Sequence, residues 1–359
     1  MKAAVMRAAN QPLEIEEIQI SKPGPREVLL RTEACGVCHS DLHMADGLIP
    51  VPLPTVLGHE PAGIIEQVGS QVNYVKPGDR VVGCLSVFCG HCEFCLSGRP
   101  NPCGGASTAR APEAPPRLSK DSETIHQFTH LSAFAEQMLV HENAVVKIQD
   151  EIPLERACLI GCGVTTGVGA VINTARVEAG SSVCVIGCGG VGLSAIQGAS
   201  IAGAGRIIAV DRVNWKLDLA TSLGATDGID ASQNDPVMAV RELTGGGVDY
   251  AFEAIGLKET GEQAFHMTKA GGTTVIIGVF GLGVNIELPG LAFLQGKRVV
   301  GSMMGSNRFR IDIPRYADFY LDGRLKLDEM ISARRKLGEI NDAFDAMRKV
   351  EVARSVITF

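Results

Sequence analysis

Residues 182–193 read SVCVIGCGGVGL, a short apolar strand followed by a glycine-rich turn at the start of a helical pattern. The G-x-G-x-x-G spacing in this stretch is formed by Gly187, Gly189 and Gly192. The first glycine permits a tight turn, the second lets backbone N–H groups approach a pyrophosphate, and the third lets strand and helix pack closely. Together with Gly190 and Val191 inside the turn, they predict a dinucleotide-binding, doubly wound α/β domain of the Rossmann type.

The next apolar run, RIIAVD, ends in Asp211, where the fingerprint places an acid for the adenosine ribose hydroxyls. A carboxylate there repels a 2′-phosphate, so we predict NAD as the cofactor in preference to NADP. The adjacent cation, Arg212, is a second candidate contact and weakens that preference. The alternative is that Asp211 only caps the end of a strand.

The pattern of apolar residues differs between the first 150 residues or so and the residues after about 180. Up to about residue 150, β-branched runs such as EVLLRTEA, AGIIEQVG and DRVVGCL are separated by turn signals, which predicts a mostly β domain. From about residue 180, short apolar strands alternate with helical patterns, as in a parallel sheet. The segment from Gly104 to about Gln127 is rich in Pro, Ala and Ser and predicts a long surface loop.

The composition narrows the class of protein. The 359 residues, 45% hydrophobic and 20% charged, fit two globular domains. The net charge of −7 disfavours nucleic acid or an anionic membrane as a partner. The N-terminal residues contain no signal-like apolar run, and no stretch is apolar over about 18 residues, so we expect a cytoplasmic protein.

Eleven cysteines, an odd number, argue for metal binding over a complete disulfide framework. The run FCGHCEFCLSGRPNPC contains four of them, Cys89, Cys92, Cys95 and Cys103. Four thiolates on one turn-rich lobe are typical of a closed, tetrahedral structural zinc site. A redox pair or an iron–sulfur cluster is the alternative.

A second, dispersed set of ligands is also present. It comprises Cys38 in GVCHSDLH, His59 with Glu60 in LGHEPAG, and Cys162 in LIGCGVTTG. Two thiolates and one imidazole leave one of four tetrahedral positions open for water or substrate, as in catalytic zinc sites. Taken singly, each residue has a structural alternative, and Cys162 is then a small buried side chain.

In order and separation, these motifs resemble those of the zinc-dependent medium-chain alcohol dehydrogenases over essentially the whole chain. The resemblance implies a GroES-like catalytic domain of residues 1–163, to which residues 304–359 return, and a NAD-binding Rossmann domain of residues 164–303. It also implies reversible hydride transfer between an alcohol and NAD, with an aldehyde or ketone as the product. A zinc-free reductase of the same superfamily, or a relative that has lost turnover, is the competing hypothesis.

The resemblance extends to individual residues near the metal. The implied surroundings of the catalytic zinc are Cys38, His59 and Cys162 as ligands and Glu60 as an acid that sometimes approaches the ion. Asp41 is similar to the carboxylate that orients the ligand histidine. Ser40 and His43 resemble a relay that carries the substrate proton to solvent. Their alternatives are a turn-capping hydroxyl and a surface imidazole.

Cofactor and substrate contacts are implied in the same way. The further cofactor contacts would be His39, Thr166, Lys216 and Arg354. Four residues, Leu85, Phe128, Met303 and Met304, fall near positions that line the substrate pocket in the family. All four are apolar, which indicates a hydrophobic alcohol or aldehyde as the substrate. The stretch GLIPVPLP lacks the acidic residues of the glutathione-dependent formaldehyde dehydrogenase branch. The long segment after Cys103 resembles the usually dimeric branch, so we expect a homodimer.

Overall fold

The computed structural model describes residues 1–111 and 113–359, so Pro112, in the predicted loop, lies outside the described residues. The strands are β1 (Lys2–Met6), β2 (Glu14–Glu17), β3 (Gln19–Ile20), β4 (Glu27–Val37), β5 (Thr55–Val56), β6 (Glu60–Val68), β7 (Arg80–Gly83), β8 (Leu118–Lys120), β9 (Glu123–Gln127), β10 (Gln137–His141), β11 (Val145–Lys147), β12 (Ser182–Ile186), β13 (Arg206–Asp211), β14 (Asp227–Asp230), β15 (Val248–Glu253), β16 (Thr268–Ile276), β17 (Arg298–Gly301), β18 (Ile331–Lys336) and β19 (Arg354–Thr358).

The α-helices are α1 (His39–Ala45), α2 (Glu93–Leu96), α3 (Leu154–Ala157), α4 (Gly163–Gly169), α5 (Gly190–Ile201), α6 (Asn214–Ser222), α7 (Pro236–Thr244), α8 (Lys258–Met267), α9 (Phe309–Leu321) and α10 (Ile340–Arg348). Short 3₁₀ turns lie at Ala106–Thr108, Phe128–His130, Glu142–Ala144, Cys158–Gly161, Gly290–Gln295, Met303–Ser306 and Leu337–Glu339, and a π-helical turn at Ala170–Ala175.

The described chain divides into two compact units. The first contains Met1–Cys162, Arg308–Gly323 and Met330–Phe359, and the second contains Gly163–Asn307 and Arg324–Glu329. These boundaries differ from the predicted ones at Gly163, 304–307 and 324–329.

Contacts within the second unit explain the difference in boundaries. A Cβ on Gly305 would clash with the carbonyl oxygen of Thr165, so residues 304–307 are held tightly against α4. Residues 324–329 join the same unit because the N–H of Lys326 donates to Oε1 of Gln197 at 2.7 Å.

The first unit is built on two sheets. One has the order β2-β1-β5-β9-β8-β3, and the other has the order β11-β7-β6-β4-β19-β18, with β10 also paired to β4. Val5 of β1, Leu30 of β4 and Phe344 of α10 belong to one buried core, in which the ring of Phe344 packs edge-on against Phe134. The C-terminal strand β19 pairs antiparallel with β4, so the tail of the chain is part of this unit.

The segment from Gly104 to Gln127 is not a plain loop, and that prediction is wrong in part. It contains the antiparallel hairpin β8–β9, whose Leu118 and Ile125 are buried. Just before β8, Nε of Arg117 donates to the buried carboxylate of Glu27 at 2.7 Å. Buried apolar side chains and an anchored arginine therefore outweigh the turn-forming composition of the segment.

The second unit contains a fully parallel sheet in the order β14-β13-β12-β15-β16-β17. The predicted runs SVCVIG, RIIAVD, VDYAFEA and TTVIIGV supply β12, β13, β15 and β16. The strand order reverses between β12 and β15, and ligands of such sheets bind at this switch point, beyond the carboxyl ends of the strands. The prediction of a doubly wound α/β domain is confirmed.

Within the part of the chain that the structure describes, no single helix is long and apolar enough to cross a membrane. One bent pair, Leu154–Gly161 with Gly163–Ala175, reaches that length and composition only when its two parts are counted together.

Candidate active site

Asp41 organises the dispersed ligand set of the first unit. Cys38 follows β4 as the N-cap of α1, and Asp41 is the third helical residue of a capping box. Oδ2 of Asp41 accepts a hydrogen bond from the N–H of Cys38 at 3.2 Å. Its Oδ1 accepts hydrogen bonds from the N–H of Gly58 at 3.0 Å and from Nδ1 of His59 at 2.9 Å. The carboxylate thus joins the start of α1 to the turn before β6.

The second ring nitrogen of His59 is available to a metal. Nε2 is buried and has no hydrogen-bond partner among the described residues. The ligand atoms of Cys38, His59, Glu60 and Cys162 lie within 4.8 Å of one another, and all four residues are buried. A buried nitrogen with its lone pair exposed is costly unless something binds it, and a zinc ion in this cluster would do so. The site predicted from the sequence is therefore assembled, and its residues fit zinc.

The electrostatics of the two thiols also suit a cation. The pKa of Cys38 is well below its usual value because Cys162 hydrogen-bonds to it and because His59 is positively charged when protonated. The pKa of Cys162 is correspondingly raised, first by that hydrogen bond and then by burial. Burial lowers the pKa of His59, but the negative charges of Asp41 and Cys38 outweigh it and raise the pKa. A dication bound here would stabilise the thiolate forms of both cysteines.

Glu60 is held by a partner that the sequence analysis assigned elsewhere. Burial raises the pKa of Glu60 to about 7, against the opposing charge of Arg354. Arg354, only 5% exposed, donates from Nη2 to Oε2 of Glu60. A Cβ on Gly36, the residue of β4 paired with Glu60, would clash with this oxygen, so the ion pair requires glycine there. In this structure Arg354 binds the acid beside the metal ligands, and its contact with pyrophosphate stays a prediction.

The four-cysteine lobe forms the second metal candidate. The sulfur of Cys95 lies 3.9 Å from that of Cys89 and 3.6 Å from that of Cys92. Four sulfurs at 2.3 Å from one zinc would be separated by about 3.8 Å, so the lobe fits the ion. The N–H groups of His91 and Cys92 donate to the sulfur of Cys89 and lower its pKa to about 6, whereas burial raises the pKa of Cys95 to about 12.

No disulfide bond joins the cysteines of the described chain, including the four of the lobe.

The candidate relay lies on α1. Ser40 and His43 are three residues apart, which places them on one face of the helix. The sulfur of Cys38 is 3.8 Å from Oγ of Ser40, so the hydroxyl lies beside a metal-ligand candidate. Both relay residues are partly exposed, and His39, whose ring lies edge-on to that of His43 at 6.3 Å, is exposed.

The predicted pocket residues fall into two pairs. Phe128 packs edge-on against the ring of His59, with ring centroids 5.7 Å apart. Leu85 is partly buried in the same unit. Met303 and Met304 belong to the second unit, where Sδ of Met304 accepts a hydrogen bond from Thr166 at 3.3 Å.

The sequence analysis missed the residue that fixes Phe128. Ser132, buried in the left-handed backbone conformation with φ of +64°, accepts a hydrogen bond from the N–H of Phe128 at 3.0 Å. Its hydroxyl donates to the carbonyl oxygen of Val56 at 2.8 Å. A serine in a run such as THLSAFAEQ carries no motif, so no sequence signal identifies this role.

The glycine-rich turn of the second unit has the geometry that its spacing predicts. Gly187 adopts φ of +95°, and a Cβ on Gly192 would clash with the carbonyl oxygen of Gly187. Helix α5 begins at Gly190, with Gly189 as its N-cap, and no side chain caps it. Its first N–H groups and the positive end of its dipole therefore favour an anion.

Asp211 caps its strand in the structure and lies beside the same turn. Its Oδ2 accepts a hydrogen bond from the N–H of Cys188 at 2.8 Å, and its Oδ1 accepts one from the N–H of Arg212 at 2.8 Å. The N–H of Val213 also donates to Oδ1 at 3.1 Å. The strand-capping alternative is thus realised, while Oδ2, with a single donor, has a further lone pair for a ribose hydroxyl. Arg212 is exposed, and Lys216 lies partly buried near the ring of Trp215.

Comparison with known proteins identifies the family. Residues 24–150 match the alcohol dehydrogenase GroES-like domain, and residues 190–321 match the zinc-binding dehydrogenase family. The chain is 40% identical to a probable S-(hydroxymethyl)glutathione dehydrogenase 1 of Schizosaccharomyces pombe, over 99% of this chain and 96% of that protein.

Two solved structures share the architecture. A zinc-binding-domain alcohol dehydrogenase from Burkholderia ambifaria superposes with a TM-score of 0.95 at 39% identity, covering 100% of this chain and 98% of the other. The benzyl alcohol dehydrogenase of Acinetobacter calcoaceticus superposes with a TM-score of 0.94 at 36% identity, covering 100% and 99%. The chain therefore belongs to the zinc-dependent alcohol dehydrogenases of the medium-chain dehydrogenase/reductase superfamily.

Proposed function

We propose that this alcohol dehydrogenase transfers a hydride reversibly between a hydrophobic alcohol and NAD, at a zinc ion held by Cys38, His59 and Cys162. The observation that carries the proposal is the buried, unpartnered Nε2 of His59, which lies in one cluster with two thiols. Held by three protein ligands, a zinc ion would stay accessible to the substrate oxygen. Glu60 lies in the same cluster, but its carboxylate is bound by Arg354. This ion pair favours a role for Glu60 beside the zinc ligands and disfavours its permanent coordination of the ion.

The chain's own residues position and deprotonate the substrate. When bound, zinc supplies Lewis acidity toward the alcohol hydroxyl, and NAD supplies the hydride acceptor. Asp41 holds the Nδ1 proton of His59, which orients the imidazole and makes Nε2 the better ligand. Ser40, whose hydroxyl lies beside the metal site, would take up the substrate proton as it gives up its own, and His43 would pass the released proton to solvent.

The second zinc ion is structural. The four cysteines of the lobe are partly buried, and each sulfur lies within 4.8 Å of the others. Four thiolates would complete the shell of one zinc ion, so a substrate would find no open position on it. We assign to it the stabilisation of residues 89–103 and no part in turnover.

NAD binds at the glycine-rich turn of the second unit. The uncapped start of α5 would hold the pyrophosphate, and Asp211, beside the same turn, would hold the ribose hydroxyls. Lys216 supplies a positive charge near Cys188, next to the turn. Because a carboxylate repels a 2′-phosphate, NADP is the weaker cofactor despite the exposed Arg212. Thr166, His39 and Arg354 remain further candidate contacts.

The substrate is a hydrophobic alcohol, aldehyde or ketone. The ring of Phe128, packed against His59, gives the metal site an apolar wall. Leu85, partly buried in the same unit, is the second apolar candidate for the lining of the substrate pocket. Leu48 and Leu53, in the stretch GLIPVPLP, are exposed apolar residues where a glutathione adduct would require acidic or other polar partners. An aromatic alcohol, such as the one named for the Acinetobacter relative, fits these walls better than the polar substrate named for the Schizosaccharomyces relative.

The protein is a cytoplasmic homodimer. Cysteines without disulfide bonds in the described chain suit a reducing compartment, and recovery in disulfide-linked form from cells would contradict that location.

The dimer is supported by the second unit. Strand β17 is an edge strand, and the chain leading to it exposes Leu282, Leu291 and Leu294 at 79%, 77% and 83%. A second copy of the chain would cover both the edge of β17 and these exposed leucines. Light scattering should give twice the 37.9 kDa chain mass, and a monomer at micromolar concentration would refute the dimer.

The substrate class is tested by assaying a panel of alcohols through NADH absorbance, with zinc measured on the same sample. We expect two zinc ions per chain, higher kcat/KM for benzyl and long-chain alcohols than for ethanol, and little turnover of S-hydroxymethylglutathione. NAD should exceed NADP in kcat/KM by about tenfold or more, since a repulsion of about 1.4 kcal/mol has that effect. Preference for the glutathione adduct would overturn the substrate class, and equal use of both cofactors would overturn the role of Asp211.

The proton relay is tested with His43→Gln. The rate of alcohol oxidation at neutral pH should fall by about 10²-fold, because the proton loses its route to solvent. Added imidazole buffer should restore part of the rate, while NADH affinity and zinc content stay unchanged. His126→Gln, which removes an exposed imidazole from β9, is the matched control. An unchanged rate in the His43 variant would show that protons leave by another path.

A further inference from the structure

A buried glutamate lies at the switch point of the parallel sheet, outside the motifs considered so far. Glu253 is the last residue of β15 and pairs with Ile186 of β12 on one side and with Ile276 of β16 on the other. It is fully buried. A carboxylate without solvent needs hydrogen-bond donors, so the donors that surround Glu253 indicate what it holds in place.

Three donors converge on one oxygen of this carboxylate. Oε1 accepts hydrogen bonds from the N–H of Ile255 at 2.8 Å and from the N–H of Gly256 at 2.7 Å. It also accepts one from the hydroxyl of Thr260, in the first turn of α8, at 2.8 Å. Helix α8 has Leu257 as its N-cap, and no side chain caps it. Glu253 therefore fastens both the loop after β15 and the start of the next helix.

The loop that Glu253 holds lies against the glycine-rich turn. A Cβ placed on Gly187 would lie 2.5 Å from Cγ1 of Ile255, so the isoleucine fills the space beside the first glycine of the fingerprint. The other side of the loop is equally tight, because a Cβ on Gly256 would clash with the carbonyl oxygen of Val279. A small movement of residues 254–257 would therefore change the shape of the turn that receives the cofactor.

We infer that Glu253 is a positioning residue for the cofactor: its carboxylate fixes the loop 254–257 against the glycine-rich turn and so keeps the dinucleotide groove in its binding shape. The inference rests on the proposed binding of NAD at this turn. The metal-ligand candidates belong to the other unit, so the expected effect of Glu253 is on cofactor affinity.

The test compares Glu253→Gln with Glu259→Gln, a matched loss of one carboxylate on the exposed side of α8. Hydrogen bonds to a charged acceptor are about twice as strong as neutral ones, so the amide should hold the loop less firmly. We expect the Kd for NADH, measured by fluorescence, and the KM for NAD to rise about tenfold in the Glu253 variant. The kcat at saturating NAD and the zinc content should stay at the wild-type values, and the Glu259 variant should match the wild type throughout.

Thr260→Val provides a milder second variant, because it removes one donor to Oε1 and keeps the shape of the side chain. It should weaken NADH binding about fivefold, and it decides the question if Glu253→Gln does not fold. Wild-type NADH affinity in a folded Glu253→Gln, or in Thr260→Val, would overturn the positioning role. Failure of the wild-type protein to bind NADH would instead overturn the cofactor site itself.

Discussion

The carboxylate of Asp41 is the interaction on which the metal site depends. It is fully buried and accepts hydrogen bonds from the N–H groups of Cys38 and Gly58 and from Nδ1 of His59. These hydrogen bonds fix the position of the start of α1 and of the turn before β6, and they also determine the tautomer of the His59 imidazole. With Nδ1 protonated, the lone pair of Nε2 is left for a metal ion. Local helix capping and metal binding are thus served by a single side chain.

The central position of β4 supplies the second constraint. At Gly36 its neighbours in the sheet are β6 and β19, so this glycine lies between Glu60 and Val356. The C-terminal strand thereby brings Arg354 to Glu60, and the missing side chain of Gly36 leaves room for the pair. A buried ion pair is weak evidence for stability. Here it sets the charge beside the metal ligands, which is a functional use of the tail of the chain.

Motifs with fixed spacing predicted much of the site from the sequence. The four-cysteine lobe is local, since Cys89 and Cys103 are close along the chain, and the glycine-rich turn follows directly from its strand. The dispersed ligands required the family resemblance, because periodicity does not bring Cys38 and Cys162 together. The order of the motifs along the chain assigned these two cysteines to one site. The structure places both of them in one buried cluster with His59.

Interactions that depend on packing were beyond sequence patterns. The resemblance implies a cofactor contact for Arg354, yet its partner in the structure is decided by the pairing of β19 with β4. The hairpin β8–β9 lies in a segment with loop-like composition and is held by Leu118 and Ile125. Glu253 belongs to no motif, and its role follows only from three donors that meet at the end of β15.

The most direct test of the metal assignment is zinc K-edge X-ray absorption on the freshly purified protein. Four thiolates on one ion, and two thiolates with the imidazole of His59 on the other, predict an average of about three sulfur ligands per zinc at about 2.3 Å. The remaining ligand should be nitrogen or oxygen, with the outer-shell scattering of an imidazole. An average of four sulfur ligands, or no imidazole signal, would show that Asp41 does not prepare His59 for zinc.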